Sequence, residues 1–226
     1  MTFYEGMLGD TPVTMQKLTM AHLAELEMLQ QKVYDALPDK NTLQPLSTAE
    51  FTNILSGNGL LMGVYAEDEL IAFRALLDPQ DDPEHLGVDC GVAKEKLSRV
   101  FYQEISNVSP DWRGYGLQKL MAQVIMEAAD LTRYDYVCAT VKPYNIPSLK
   151  DKFSQGLVVK GLKLKYGGKL RYIFFKDLKA ASPIYQEEKT ISMSDTEAQQ
   201  ALLKAGYVGT ALIKNNDDFE IVYKKQ

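Results

Sequence analysis

Residues 110–121 read PDWRGYGLQKLM. Two glycines, Gly114 and Gly116, and two cations, Arg113 and Lys119, stand where an apolar-periodic run begins. Glycine is poor helix material. It suits positions where the backbone takes unusual dihedrals or must come close to a ligand. Behind the turn, Leu117, Leu120, Met121, Val124, Ile125 and Ala128 recur at the i, i+3, i+4, i+7 spacing of an amphipathic helix. Ahead of it, Val100 to Val108 reads as a long strand. A helix start carries about half a positive charge and several N–H groups without intrahelical partners. Small residues in front let an anion reach those groups. The strand, turn and helix together read as a phosphate-binding turn.

Three nucleotide-binding patterns compete for it. A Walker loop ends in Gly-Lys-Ser/Thr, which is absent. A dinucleotide fingerprint needs a third glycine where Lys119 stands and an acid at the end of the next strand, whereas Asp135 lies before that strand. The third is the pyrophosphate loop of acyl-CoA N-acyltransferases. The segment NVSPDWRGYGLQKLM, residues 107–121, resembles the acetyl-CoA signature Q/R-x-x-G-x-G/A of the GNAT superfamily of N-acetyltransferases. Arg113, Gly116 and Gln118 stand at its three defined positions, and Gln118 departs from the usual Gly or Ala. The order strand, two helices, hairpin, long strand, signature helix, strand, helix, hairpin from about residue 12 to 178 is similar to the superfamily's. NIPSLKDKFSQGL, residues 145–157, resembles its Asn-led helix. KYGGKLRYIFFKDL, residues 165–178, looks like the closing hairpin of a bacterial branch.

The resemblance implies an α/β (α+β) GNAT fold: a mixed, twisted, mostly antiparallel sheet flanked by helices. It implies acetyl-CoA as co-substrate and no metal. The end of the strand, Ser106, Asn107 and Val108, is expected along the thioester and pantetheine. Arg113, Gly114, Tyr115, Gly116, Leu117, Gln118 and Lys119 are expected around the pyrophosphate, with Asn145 and Ser148 contributing from the later helix. Asn145 reads equally as the cap of that helix, with Pro147 early in it.

Acetyl transfer to an amine requires the amine to lose a proton. An alkyl amine of pKa near 10.4 is free base in about one molecule in two thousand at pH 7, so a base contributes roughly 4–5 kcal/mol. Glu104, on the strand leading into the signature, is the candidate, and its other reading is a solvent-facing or paired strand carboxylate. Many relatives place a tyrosine in the Asn-led helix to protonate the leaving thiolate, and by spacing that position is Lys152. Tyr144 and Tyr166 read as packing tyrosines. The expected activity is transfer of an acetyl group to a primary amine, of a small molecule or a peptide, by direct attack. The alternative is a non-catalytic acyl-CoA-binding sensor or adaptor module.

The rest of the chain bounds this reading. It has 226 residues, 46% of them hydrophobic, enough for a sizeable core. A net charge of -5 argues against a nucleic-acid partner, although Lys and Arg gather between Lys142 and Lys179. The two cysteines, Cys90 and Cys138, form no disulfide framework and suit a reducing cytoplasm. His22 and His85 belong to no metal-ligand pattern, and His85 reads as a surface histidine or a proton relay. The acids Asp78, Asp81, Asp82 and Glu84 read as a solvated loop. No run reaches membrane-spanning length and no signal peptide is expected, so we expect a cytoplasmic monomer or homodimer. After Leu178 the chain changes character. KAASPIYQEEKT is linker-like, SDTEAQQALLKAG reads as a capped helix stopped at Gly206, and Phe219 to Tyr223 as a strand. The expected division is an acetyltransferase domain, residues 1–178, and a packed helix–strand appendage, residues 179–226.

Overall fold

In a computed structural model, which describes residues 2–130, 132–181 and 183–225, the chain opens with strands β1 (Thr2–Leu8) and β2 (Thr11–Lys17). Helices α1 (Leu23–Asp35) and α2 (Thr48–Asn53) follow, then strands β3 (Gly59–Ala66) and β4 (Glu69–Leu77). A short helix α3 (Leu86–Asp89) precedes β5 (Val100–Val108), helix α4 (Leu117–Ala128) and β6 (Tyr136–Val141). Next come α5 (Ile146–Ser154), β7 (Val158–Lys165) and β8 (Lys169–Asp177). The C-terminal part adds β9 (Glu187–Ser192), α6 (Thr196–Lys204), β10 (Val208–Asn215) and β11 (Asp218–Lys225).

These elements form two compact units. One runs up to Asp78 and resumes from Tyr102 through α4; the other holds Pro79–Phe101 and the chain from Thr132 onward. In the first unit the strands pair antiparallel in the order β1-β2-β3-β4-β5. The β3–β4 turn carries Glu67 at φ 53°. α1 and α2 close over one face, where Leu26, Leu29, Phe51 and Ile54 meet Leu61, Phe73 and Ile105. Each such side chain contributes about 1.5–3 kcal/mol by leaving water. The Ser47 side chain accepts from Glu50 N, and Glu50 reaches back to Ser47 N, fixing the start of α2. α4 buries Leu117, Met121, Val124 and Ile125, the face its sequence spacing marks as apolar.

In the second unit β6 pairs with β8, β8 with β7, β7 with β10, β10 with β11 and β11 with β9, all antiparallel. Gly167 and Gly168, at φ 74° and 103°, turn β7 into β8. The join from β7 to β10 is narrow, with Val159 opposite Gly209. A Cβ on Gly209 would lie 3.0 Å from the Val159 side chain, so a bare backbone lets the strands meet. Beneath, Gln199 of α6 is fully buried and accepts hydrogen bonds from the phenols of Tyr172 (2.6 Å) and Tyr223 (2.9 Å).

The structure departs from the sequence reading in several elements. β1, β9 and β10 are strands the sequence pattern did not reveal, and β9 lies partly within the linker-like stretch. His85 is no surface histidine: it is 6% exposed, and its Nδ1 accepts from Gly87 N at the start of α3. Tyr144 and Tyr166 do not pack inside. They are 47% and 40% exposed, and each sits at a turn with positive φ. Cys90 and Cys138 are both buried and reduced. A hydrogen bond with Cys90 and burial push the Cys138 thiol up, which leaves it inert.

Candidate functional site

The site in the first unit starts at a fault in the β4–β5 ladder. Ala75 faces Ile105 and Leu76 faces Gln103, so Glu104 is the extra residue of a β-bulge. A bulge bends its strand and re-aims side chains. Glu104 sits there half-buried. Beyond the bulge, Ser106 faces Arg74, Asn107 faces Phe73 and Val108 faces Ala72. Ser106 Oγ and Asn107 Nδ2 are buried without a hydrogen-bond partner among the described residues. An unmatched buried donor costs about 1–3 kcal/mol and asks what completes it.

Ser109 N then closes on Ile71 O (2.8 Å), and a single 3-10 turn, Pro110–Trp112, leads outward. Lys32 of α1 holds that turn through Asp111 at 2.7 Å. Arg113, Gly114, Tyr115 and Gly116 follow, all exposed. Gly114 has φ 90° and Gly116 φ 74°. L side chains rarely adopt such values, and this is the physical need for glycine here. A Cβ at either position would meet nothing within 4 Å. The backbone of the turn therefore faces open space.

Gly116 is the N-cap of α4, so no side chain caps this helix, and its first turn holds no acid. The positive end of the helix is thus left to an outside anion. Leu117 is buried and anchors the helix start, while Gln118 is half-buried and Lys119 exposed. Beneath lies a residue the sequence reading passed over. Arg74, 1% exposed, donates to Gln118 O (3.4 Å) and to Gln103 Oε1 (2.7 Å). Its charge ties the first turn of α4 to the strands below and adds to the positive field at that end. The signal was present in LIAFRALL, residues 70–77, where one cation interrupts an apolar strand. A long charged side chain there must find buried partners.

Asn145 and Ser148 lie in the second unit. Asn145 is the N-cap of α5, and its side chain accepts from Ser148 N at 3.4 Å. Tyr144 precedes it at φ 64°, and Pro147 stands in the first turn. Lys152 is buried at 7% exposure and donates to the adjacent Asp151 at 3.0 Å. Among the described residues no cluster of His, Cys, Asp and Glu could hold a metal ion, and no helix is long and apolar enough to cross a membrane.

No protein-family model and no curated protein matches this sequence. Solved structures do match by fold. One is an acetyltransferase of the GNAT family from Streptococcus pneumoniae, with TM-score 0.54, 14% identity, 73% of this chain and 99% of that one covered. Another is the ribosomal-protein-S18-alanine N-acetyltransferase from Escherichia coli, at 0.52 and 13%, covering 77% and 99%. A third, a Salmonella typhimurium protein assigned as an acetyltransferase and solved with its cofactor acetyl-CoA, gives 0.53 and 16%, covering 76% and 98%. The fold is thus the α+β fold of the GNAT acetyltransferases, a mixed and mostly antiparallel sheet with helices.

Proposed function

We propose that this protein is an acetyl-CoA-dependent N-acetyltransferase whose acceptor is a primary amine. The observation that carries the reading is the turn before α4. Two glycines at positive φ face open space, and the helix start behind them has no side-chain cap and no acid. A diphosphate fits such a place by geometry and by charge. Arg113 and Lys119, both exposed at its rim, supply further cations. Asn107 Nδ2 and Ser106 Oγ are buried polar groups on the strand that leads to it, and a bound pantetheine amide or a water would complete them. Asn145 and Ser148 of α5 enter the proposal by the family resemblance alone; in the structure they make the capping bond with each other.

Acetyl-CoA, when bound, supplies an electrophilic thioester carbonyl. The acceptor nitrogen forms its bond to that carbon, the C–S bond breaks, and the amine proton goes to a base. Glu104 is the base in this reading, directly or through one water: it stands half-buried at the bulge, on the strand that leads into the turn. Backbone N–H groups at the end of β5 meet the developing oxyanion. A thiol of pKa about 8.5 leaves as thiolate without a proton donor, so the reaction does not depend on a tyrosine at position 152.

One observation favours a second reading, an acyl-CoA-binding module without turnover. Lys152 stands where relatives carry the acid, and it is buried against Asp151 rather than exposed to a leaving group. Release of free thiol from acetyl-CoA in the presence of an amine panel separates the two. Amine-dependent thiol release supports the enzyme. Saturable CoA binding without release, across small amines and peptide N-termini, supports the module.

A further inference from the structure

The second unit holds a cavity of ≈ 520 Å³ that the acetyl-transfer reading leaves unused. It lies at the starts of β7 and β10 and the ends of β8 and β11. Asp177 of the lining lies opposite Tyr136, whereas the end of β6 that leads to Asn145 lies opposite Tyr172, roughly 17 Å away along β8 at about 3.3 Å per residue. The lining has an unusual charge balance for a chain of net charge -5: four lysines, Lys160, Lys176, Lys224 and Lys225, against one carboxylate, Asp177. Like charges gathered in a concavity repel, and their field draws a counter-ion.

Their partners sharpen the point. Lys224 is paired with Glu188 at 2.9 Å. The other three rest on neutral groups. Lys160 Nζ donates to Cys90 O (3.2 Å) and lies 4.4 Å from the Phe175 ring centre. Lys176 Nζ donates to Gln155 O (2.7 Å). Lys225 Nζ sits 5.5 Å from the centre of the Tyr207 ring. An ammonium has three donors, so each of these bonds leaves capacity over. Asp177, one negative charge against four positive ones, turns its Oδ1 to Lys179 N (2.8 Å) and Ala180 N (3.0 Å). Between the lysines the walls are apolar, with Val158, Val208 and Pro183 beside the ring of Tyr185. The volume is that of a small-molecule site.

We infer that this cavity binds a small organic anion, an aromatic or other flat apolar body bearing a phosphate or carboxylate. The body lies against Tyr185 and the apolar wall, and the anionic group faces Lys176 and Lys225. The cavity shares no residue with the co-substrate turn, nor with Asn145 and Ser148. The test is calorimetric titration of the full chain with phenyl phosphate and with benzoate, beside inorganic phosphate and neutral phenol. At least one aromatic anion saturates a single site, inorganic phosphate binds at least tenfold more weakly, and phenol gives no saturable heat. Excess CoA leaves the binding unchanged. Lys176→Gln and Lys225→Gln each weaken it at least fivefold. Because Lys176 also holds the end of α5, a melting curve accompanies that variant. If it unfolds, Lys225→Gln decides, since its ammonium makes only a ring contact among the described residues. No saturable binding of either aromatic anion, competition by CoA, equal affinity for inorganic phosphate, or undiminished binding to Lys225→Gln overturns the inference.

Discussion

Glu104 differs from its neighbours on β5 in register. The β4–β5 ladder skips it between Gln103 and Ile105, and it sits there half-buried. If it is the base, Glu104→Gln lowers turnover most near neutral pH and least at high pH, where free amine is plentiful. A uniform loss across pH, or none, contradicts the assignment. Gln199 poses a residue-scale question of stability. Its Oε1 takes both phenol protons, and its Nε2 donates to Met193 O at 3.0 Å. Gln199→Leu keeps the volume and leaves two buried O–H groups without an acceptor. We expect a loss of about 2–4 kcal/mol in urea unfolding. A loss below about 1 kcal/mol would mean water takes over the role. None of this was legible beforehand. A strand pattern cannot announce a bulge, and Gln199 looks like any polar residue of an amphipathic helix until the tyrosines beneath it are seen.

At the scale of elements, the readings that held rest on local physics. Val100–Val108 is a strand over the residues the sequence marked, because a β-rich apolar run is bounded there by turn residues. α2 begins at the capping box of Ser47 and Glu50. Ser47→Ala removes the acceptor of Glu50 N and should cost about 1 kcal/mol, read as a lower unfolding midpoint. An unchanged midpoint would show the box to be idle. β1, β9 and β10 escaped notice because their stability is not local. EEKTIS is polar and almost wholly exposed, and only its ladder with β11 makes it a strand. Arg74 was missed for a related reason: its partners, Gln103 and the carbonyl of Gln118, come from distant parts of the sequence.

For the whole molecule, the proposed division sets residues 179–226 apart as an appendage held in cis. Its ties within the second unit include the Gly209–Val159 pairing, the Tyr172–Gln199 bond and the bond from Gln200 Nε2 to Leu162 O (2.8 Å). Truncation after Leu178 leaves β7 with an open edge and exposes apolar side chains that α6 and β11 cover, so melting temperature or solubility should fall. A truncated protein equally stable, soluble and active would make the tail a free module. The GNAT fold was legible from the glycine turn and the element order, since both are written in consecutive residues. An acceptor was not legible, because a fold does not dictate the residues that would meet one. The central claim is that the turn before α4 holds the diphosphate of CoA, and calorimetric titration with CoA tests it most directly. Gly116→Val puts a branched side chain at φ 74° in the space the ligand needs, with Arg113→Ala as an exposed companion variant and melting curves to confirm folding. We predict saturable binding to the wild-type protein, at least tenfold weaker in folded Gly116→Val, or about 1.4 kcal/mol, and measurably weaker in Arg113→Ala. CoA affinity unchanged in both folded variants would contradict the account.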